Sequence, residues 1–277
     1  MDKISVIRAA AYNIGDIVGV GTSSAGTGTT VDVPAFVFPE TAQIQGYYLY
    51  ARSIGTIPWN SQQRIISDFI AANTRCVVGQ SLSPYPTQAD VTVFRNFSMD
   101  EYKNAFDQAL DMAKLHHLQD YVATLGLNGS QYEYAVPSGL ISVVSLRLIP
   151  SGPLSDYEAD DLVDRVFNLD GWWQIERNPV GSMCIVFDPR HINMGNVEES
   201  WVRVIGQVRP DVAATDVGSV SAEIHPFLIA EMSKTMAARK MTGKENDRYQ
   251  KLYGAWGREA SALENFIHRP FRGVAVT

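Results

Sequence analysis

Cysteine is nearly absent. Cys76 and Cys184 are the two thiols in 277 residues, each inside an apolar run, so a disulfide framework is excluded and both read as small hydrophobes. No stretch reaches the roughly 18 apolar residues that a membrane helix needs, and MDKISVIRAAAYNIG lacks the apolar core of a signal peptide. The expectation is a soluble chain made in the cytoplasm, with no membrane partner. Charge is sparse at 19% of residues, which points to surface that something else covers. A basic excess is lacking too: 23 Lys and Arg stand against 30 Asp and Glu, a net charge of -7, which excludes general affinity for nucleic-acid phosphate or an anionic membrane.

The sequence also lacks the residue patterns of common chemistries. There is no G-x-S-x-G elbow and no cysteine in a nucleophile context. The five histidines, His116, His117, His191, His225 and His268, belong to no H-E-x-x-H or Cys/His set. Gly19 to Thr30 (GVGTSSAGTGTT) suggests a phosphate loop, but no G-K-[ST] follows and the next segment reads as a strand, so a mobile hairpin tip is expected. Asp156, Glu158, Asp160, Asp161 and Asp164 lack the central glycine and ligand spacing of a calcium loop and read as a solvated acidic face. The chain therefore offers no catalytic, cofactor-binding or metal-binding residues, and no cofactor is expected.

What is present begins with Phe97 to His117. Ser98 and Glu101 form an S-x-x-E capping box, and Tyr102, Phe106, Ala109, Leu110 and Ala113 recur at helical spacing. Residues 3–14 have the composition of a short helix that Gly15 stops. Between them DIVGVGT, TTVDVPAFVF, GYYLYARS, QQRIISDFI, TRCVVGQSL and DVTVFRNF are short β-prone runs separated by turn residues, suggesting a small antiparallel barrel or sandwich. Beyond the central helix, ISVVSLRL alternates as a half-buried strand, Ser155 and Glu158 repeat the capping pair, Asn178 to Gly181 joins a hairpin, and WVRVIGQV is a further strand. These pieces predict an α+β fold, a helical scaffold carrying two small antiparallel β units of barrel or sandwich type. The expected divisions are an N-terminal helix (1–15), a β domain (16–97), a central helix (98–125), a second β-sandwich-like unit (126–210) and a C-terminal helical region with its tail (211–277).

Two groups of residues are candidates for contact. In the C-terminal region Tyr249, Tyr253 and Trp256 lie on a long aromatic stripe, and Arg239, Lys240, Lys244, Arg248 and Lys251 make the one basic concentration in the chain. Trp172 and Trp173 must point to opposite faces of their strand, so one belongs to the core and the other to an interface or a ligand-stacking position. The charge is uneven: residues 1–97 hold 6 basic and 6 acidic, 98–210 hold 8 and 16, and 211–277 hold 9 and 8.

The order of pieces is IRAAAYNIGDIV, a Thr/Gly-rich β stretch, GYYLYARS with QQRIISDFIAANTRCVV, DVTVFRNFSMDEYKNAFDQAL, YEYAVPSGLISVVSLRL, WWQIERNP with CIVFDP, and a C-terminal helix. From about Ile4 to Phe266 this order resembles the head-to-tail connector proteins of tailed bacteriophages, also called adaptor or neck proteins. The resemblance implies a non-enzymatic virion protein in the neck, a ring of commonly twelve copies joining the portal protein to tail or neck proteins. It further implies a channel through which genomic DNA passes without specific binding. The acidic balance suits such a wall, because Lys and Arg contacts would hold phosphate. On this reading the C-terminal helical region docks on the portal and the β modules contact neighbours or tail proteins. Two other classes remain: a tail-tip or receptor module binding glycan through Trp172 or Trp173, and an unrecognised hydrolase.

Overall fold

In the computed structural model the described residues are 2–38, 43–53, 61–82, 88–149, 167–197, 200–210, 219–241, 246–267 and 274–276. The chain forms two compact units, Met1–Ala113 with Val212–Asn265, and Lys114–Asp211 with Phe266–Thr277.

The first unit begins with α1 (Lys3–Asn13), which Asp2 caps by accepting the Ser5 N–H at 2.8 Å. Gly15, at φ +71, ends it in a left-handed conformation open to glycine. Seven strands follow: β1 (Ile17–Thr22), β2 (Ala25–Thr27), β3 (Thr30–Asp32), β4 (Tyr48–Ser53), β5 (Gln62–Ile70), β6 (Arg75–Val78) and β7 (Ala89–Phe94). They make one antiparallel sheet in the order β1-β7-β4-β5-β6-β3-β2. Its core holds Phe36, Leu49, Ile66, Phe69, Val91 and Val93. The Gly/Thr-rich piece is mostly strand, and its glycines answer to packing: a Cβ on Gly21 would lie 2.7 Å from Val33 Cγ1, and one on Gly19 would lie 2.9 Å from Phe36 Cε1.

Helix α2 (Met99–His116) starts as its capping box requires, with Glu101 N–H on Ser98 Oγ at 3.2 Å and Ser98 N–H on Glu101 Oε2 at 2.8 Å. Its apolar stripe is buried, Tyr102, Ala105 and Phe106 at 0% exposure. The unit closes with α3 (His225–Lys240) and α4 (Asn246–Ile267). Asn13 donates to Ser233 Oγ at 3.3 Å, fastening α1 to α3.

The second unit contains β8 (Gln119–Gly126), β9 (Glu133–Ala135), β10 (Leu140–Ile149), β11 (Phe167–Asn168), β12 (Trp173–Arg177), β13 (Met183–Phe187), β14 (Trp201–Val208) and β15 (Val274–Ala275). One sheet runs β11-β10-β14-β8 with β15 also on β10; a smaller one runs β12-β13-β9. Val143, Leu146, Val202 and Val204 pack with Ile185 and Phe187 in a shared core. The hairpin at Asn178 forms as its turn residues require: Ser182 N–H donates to Asn178 Oδ1 at 2.8 Å and Gly181 takes φ +91.

The fold class differs from the sequence expectation. Fifteen strands and four α-helices among the described residues form a mostly β protein built on a seven-stranded sheet, not a helical scaffold carrying small β units. The reason is long-range pairing. β1 pairs with β7, so runs that look like a small closed unit join one wide sheet. Likewise α2 stops at His116, and Gln119–Gly126, counted above as helix to 125, becomes a strand because all eight of its residues pair with β14. The acidic stretch Asp156 to Asp164 and the Ser155/Glu158 pair lie outside the described residues.

Candidate functional site

Strand alternation builds an outer face on the larger sheet of the second unit. On β14, Val202 and Val204 point into the core at 0% exposure, so Trp201, Arg203 and Ile205 share the outer face. On β10, Leu146 and Leu148 are core residues, which puts Arg147 on that outer face as well. The register places Arg147 directly opposite Arg203, and Arg203 opposite Thr124 of β8. Ile205 faces Val122, and Trp201 faces Gly126. The missing side chain there leaves room for the indole, since a Cβ on Gly126 would sit 3.6 Å from Trp201 Cζ3.

Two cations therefore occupy neighbouring strands with an exposed apolar flank on either side, Val122 at 55% and Trp201 at 42% exposure. Directly opposed like charges weaken a sheet. Neither arginine makes a hydrogen bond or ion pair with another described residue, so nothing among the described residues offsets the cost. Several cations elsewhere are paired. Arg75 takes Asp32 through two hydrogen bonds of 2.6 and 2.8 Å, holding that carboxyl below its usual range. Arg8 and Arg52 share Asp90, at 2.6 and 2.8 Å, and Arg52 reaches Asp2 at 3.0 Å. Burial works against the charged form of Asp2, but the hydrogen bonds from Ser5 and Arg52 outweigh it and lower its pKa.

The residues singled out from the sequence do not gather in one place. Arg239 is exposed and donates to the Glu101 carbonyl at 3.4 Å, while Lys240 lies 5.6 Å from the Phe97 ring centre. Arg248 reaches the Ile14 carbonyl at 3.5 Å and lies 5.7 Å from the ring of Tyr249, so it serves the fold of its own unit. Tyr249 is buried, Tyr253 is 38% exposed, and the half-buried Trp256 has an indole N–H with no partner among the described residues. Lys251 is exposed. Lys244 lies outside the described residues.

Trp172, just outside β12, and Trp173, its first residue, separate in burial. Trp173 packs against the core, and Trp172 is 37% exposed with one face stacked on His191, ring centres 5.9 Å apart at 11°. Beside them a cavity of about 240 Å³ is lined by Gly171, Trp173, Gln174, Phe187, Asp188 and Arg190. Its carboxylate is already taken: Arg190 donates to Asp188 at 2.7 Å and holds it at a pKa of about 2. Burial pushes the Cys76 thiol up to about 12, far from a reactive thiolate. Among the described residues no group of three metal-ligating side chains occurs, and no helix is long and apolar enough to cross a membrane.

The Arg147/Arg203 face was not among the residues expected from the sequence to make contacts. Its signal was present in the alternation of SVVSLRL and WVRVIG, but only the register of β10 on β14 brings the two arginines together.

No family model matches the chain, and no curated protein matches it. Among solved structures it matches a chain described as the neck of an empty GTA particle computed with C6 symmetry, with a TM-score of 0.22 and 9% identity, over 55% of this chain and 74% of that one. A superposition that loose does not establish a common fold.

Proposed function

We propose that the chain is a non-enzymatic structural subunit of a virion, a connector in the neck that assembles with further copies of itself and with portal and tail proteins around the path of the genomic DNA. The observation that carries the assembly part is the outer face of the β10–β14–β8 sheet, where exposed Trp201 and Val122 flank two arginines that have no partner among the described residues. Tryptophan and arginine dominate the centres of protein interfaces, whereas a solvated sheet face normally carries mixed charge. The neck assignment rests on the order of sequence segments, which resembles that of connector proteins. The net charge of -7 suits a wall that DNA passes without being held.

Electron microscopy of particles from the source, with an antibody against the chain scored by position, tests this reading. Label at the junction of head and tail is expected. Label at the far end of the tail would move the function to receptor binding, and particles without label would remove the virion reading altogether.

A further inference from the structure

The arginine pair suits an anionic partner, and the chain carries a surface that matches it. On α2, Asp100, Asn104, Asp107 and Asp111 are all exposed and follow one another at four- and three-residue steps, so they lie on a single stripe opposite the buried one. Leu115, 72% exposed, continues that stripe toward the helix C-terminus. Three carboxylates and an apolar end thus face outward from one helix. Asp107 and Asp111 are one turn apart, about 6 Å along the axis at 1.5 Å per residue. The Cα atoms of residues opposed across an antiparallel pair stand about 4.5–5.5 Å apart, so the two spacings are close. Lys3 takes Oδ1 of Asp107 at 2.8 Å and Asp111 is also engaged within the fold, but both carboxylates remain exposed and can accept further donors.

We infer that the outer face of the β10–β14–β8 sheet docks the acidic stripe of α2 from a second copy of this chain, with Arg147 and Arg203 on Asp107 and Asp111 and the exposed Leu115 against the apolar flank. Nucleic acid is the weaker occupant for this face. It carries two arginines and no lysine, sits among apolar side chains, and belongs to a chain of net charge -7. The contact uses different surfaces on the two copies and is therefore heterologous, so repeating it yields a ring where the rotation closes. Closure into a ring rests on the connector reading above; the contact itself does not.

The test is sedimentation velocity of the full chain over a hundredfold range of concentration. Wild type is expected to gain mass with concentration. Arg147→Glu with Arg203→Glu, and separately Asp107→Lys with Asp111→Lys, are each expected to stay monomeric or to need at least tenfold more protein. An equimolar mixture of the two is expected to associate again, since each then meets an opposite charge. Arg203→Thr guards against misfolding as the cause: it removes the like-charge opposition, so its melting temperature should not fall while association weakens. Wild-type protein that stays monomeric throughout, or charge-reversed variants that associate as wild type does, overturns the inference. If those variants associate normally and antibody still marks the neck, the contact is wrong and the connector reading stands. If the variants behave as expected and the neck is unlabelled, the contact stands and the connector reading falls.

Discussion

Tyr102 donates its phenol proton to Asp16 Oδ2 at 2.9 Å, joining a fully buried side chain of α2 to the residue that precedes β1. Asp16 also accepts the Asn96 N–H at 2.7 Å, so one carboxylate gathers the start of the sheet, the end of β7 and the approach to α2. Burial raises the pKa of Asp16 despite these hydrogen bonds and pushes that of Tyr102 up as well.

The sign of the resulting pH dependence follows from linkage. A carboxyl whose pKa is higher folded than unfolded contributes stability that is complete below the unfolded value, 3.8, and is lost as pH rises through the folded one. Asp16→Asn removes that loss while keeping one oxygen for the Asn96 N–H, and its amide NH2 can donate to the Tyr102 phenol oxygen instead. Its melting temperature relative to wild type should therefore rise between pH 4 and pH 7, as thermal scans at the two values would show. A difference independent of pH would contradict the assignment. Tyr102→Phe should cost about 1–3 kcal/mol at neutral pH, because it leaves a buried acceptor short of a donor.

Asp90 offers a second test. It holds Arg8 of α1 and Arg52 of β4 at once, with all three side chains less than a fifth exposed. Asp90→Ala leaves two partly buried cations without that partner and should cost about 2–3 kcal/mol, at or below the roughly 3–5 kcal/mol of a fully buried pair. Arg8 keeps Thr92 Oγ1 at 2.8 Å and Arg52 keeps Asp2, which is why the loss stays below the maximum. Denaturant melts of the double variant Arg8→Met/Asp90→Ala should show less than the sum of the single effects.

What was legible in the sequence was local. Ser98 and Glu101 mark the start of α2, Gly15 marks the end of α1, and Asn178 and Gly181 mark a hairpin, because each depends on residues within one turn of chain. The sheets were not legible as wholes. That Ile17 faces Phe94, or that Arg147 faces Arg203, depends on which strand a run pairs with, and a β-prone run carries its facing pattern but not its partner. Gln119–Gly126 shows this most clearly. Tyr121, Val122 and Thr124 suit a strand, but they follow a strong helix, and it is the pairing of all eight residues with β14 that decides their structure. The C-terminal cations were visible as a cluster in sequence but separate in space, Arg248 turning to the Ile14 carbonyl and Arg239 to that of Glu101.

The capping box supports a modest prediction. Ser98→Ala removes the acceptor for the Glu101 N–H and should cost about 1 kcal/mol, within the 0.5–2 kcal/mol of such caps. For a chain of this size that is a fall of about 2–4 °C in melting temperature. Ser98→Asp should recover most of it, since aspartate accepts the same N–H and suits the positive end of the helix.

Gly206 sets the sharpest limit on the second unit. It lies in β14 opposite Val143, between two irregularities of the β10–β14 register, and a Cβ there would stand 2.2 Å from the Ser142 carbonyl oxygen and 2.6 Å from Leu140 Cδ2. The leucine tip could move, but the carbonyl belongs to the partner strand and cannot withdraw without parting the ladder. Gly206→Ala should therefore cost about 3 kcal/mol, at the upper end for overpacking, and more if the register slips. Gly139 provides the control. It has open space around its Cα but φ of +86, so alanine there meets backbone strain without a clash and should cost about 1–2 kcal/mol. Limited proteolysis should report Gly206→Ala as early cleavage within β10 or β14 while the seven-stranded sheet survives. Equal losses for the two variants would mean that strand separation, not backbone conformation alone, is far more adaptable than the 2.2 Å approach implies.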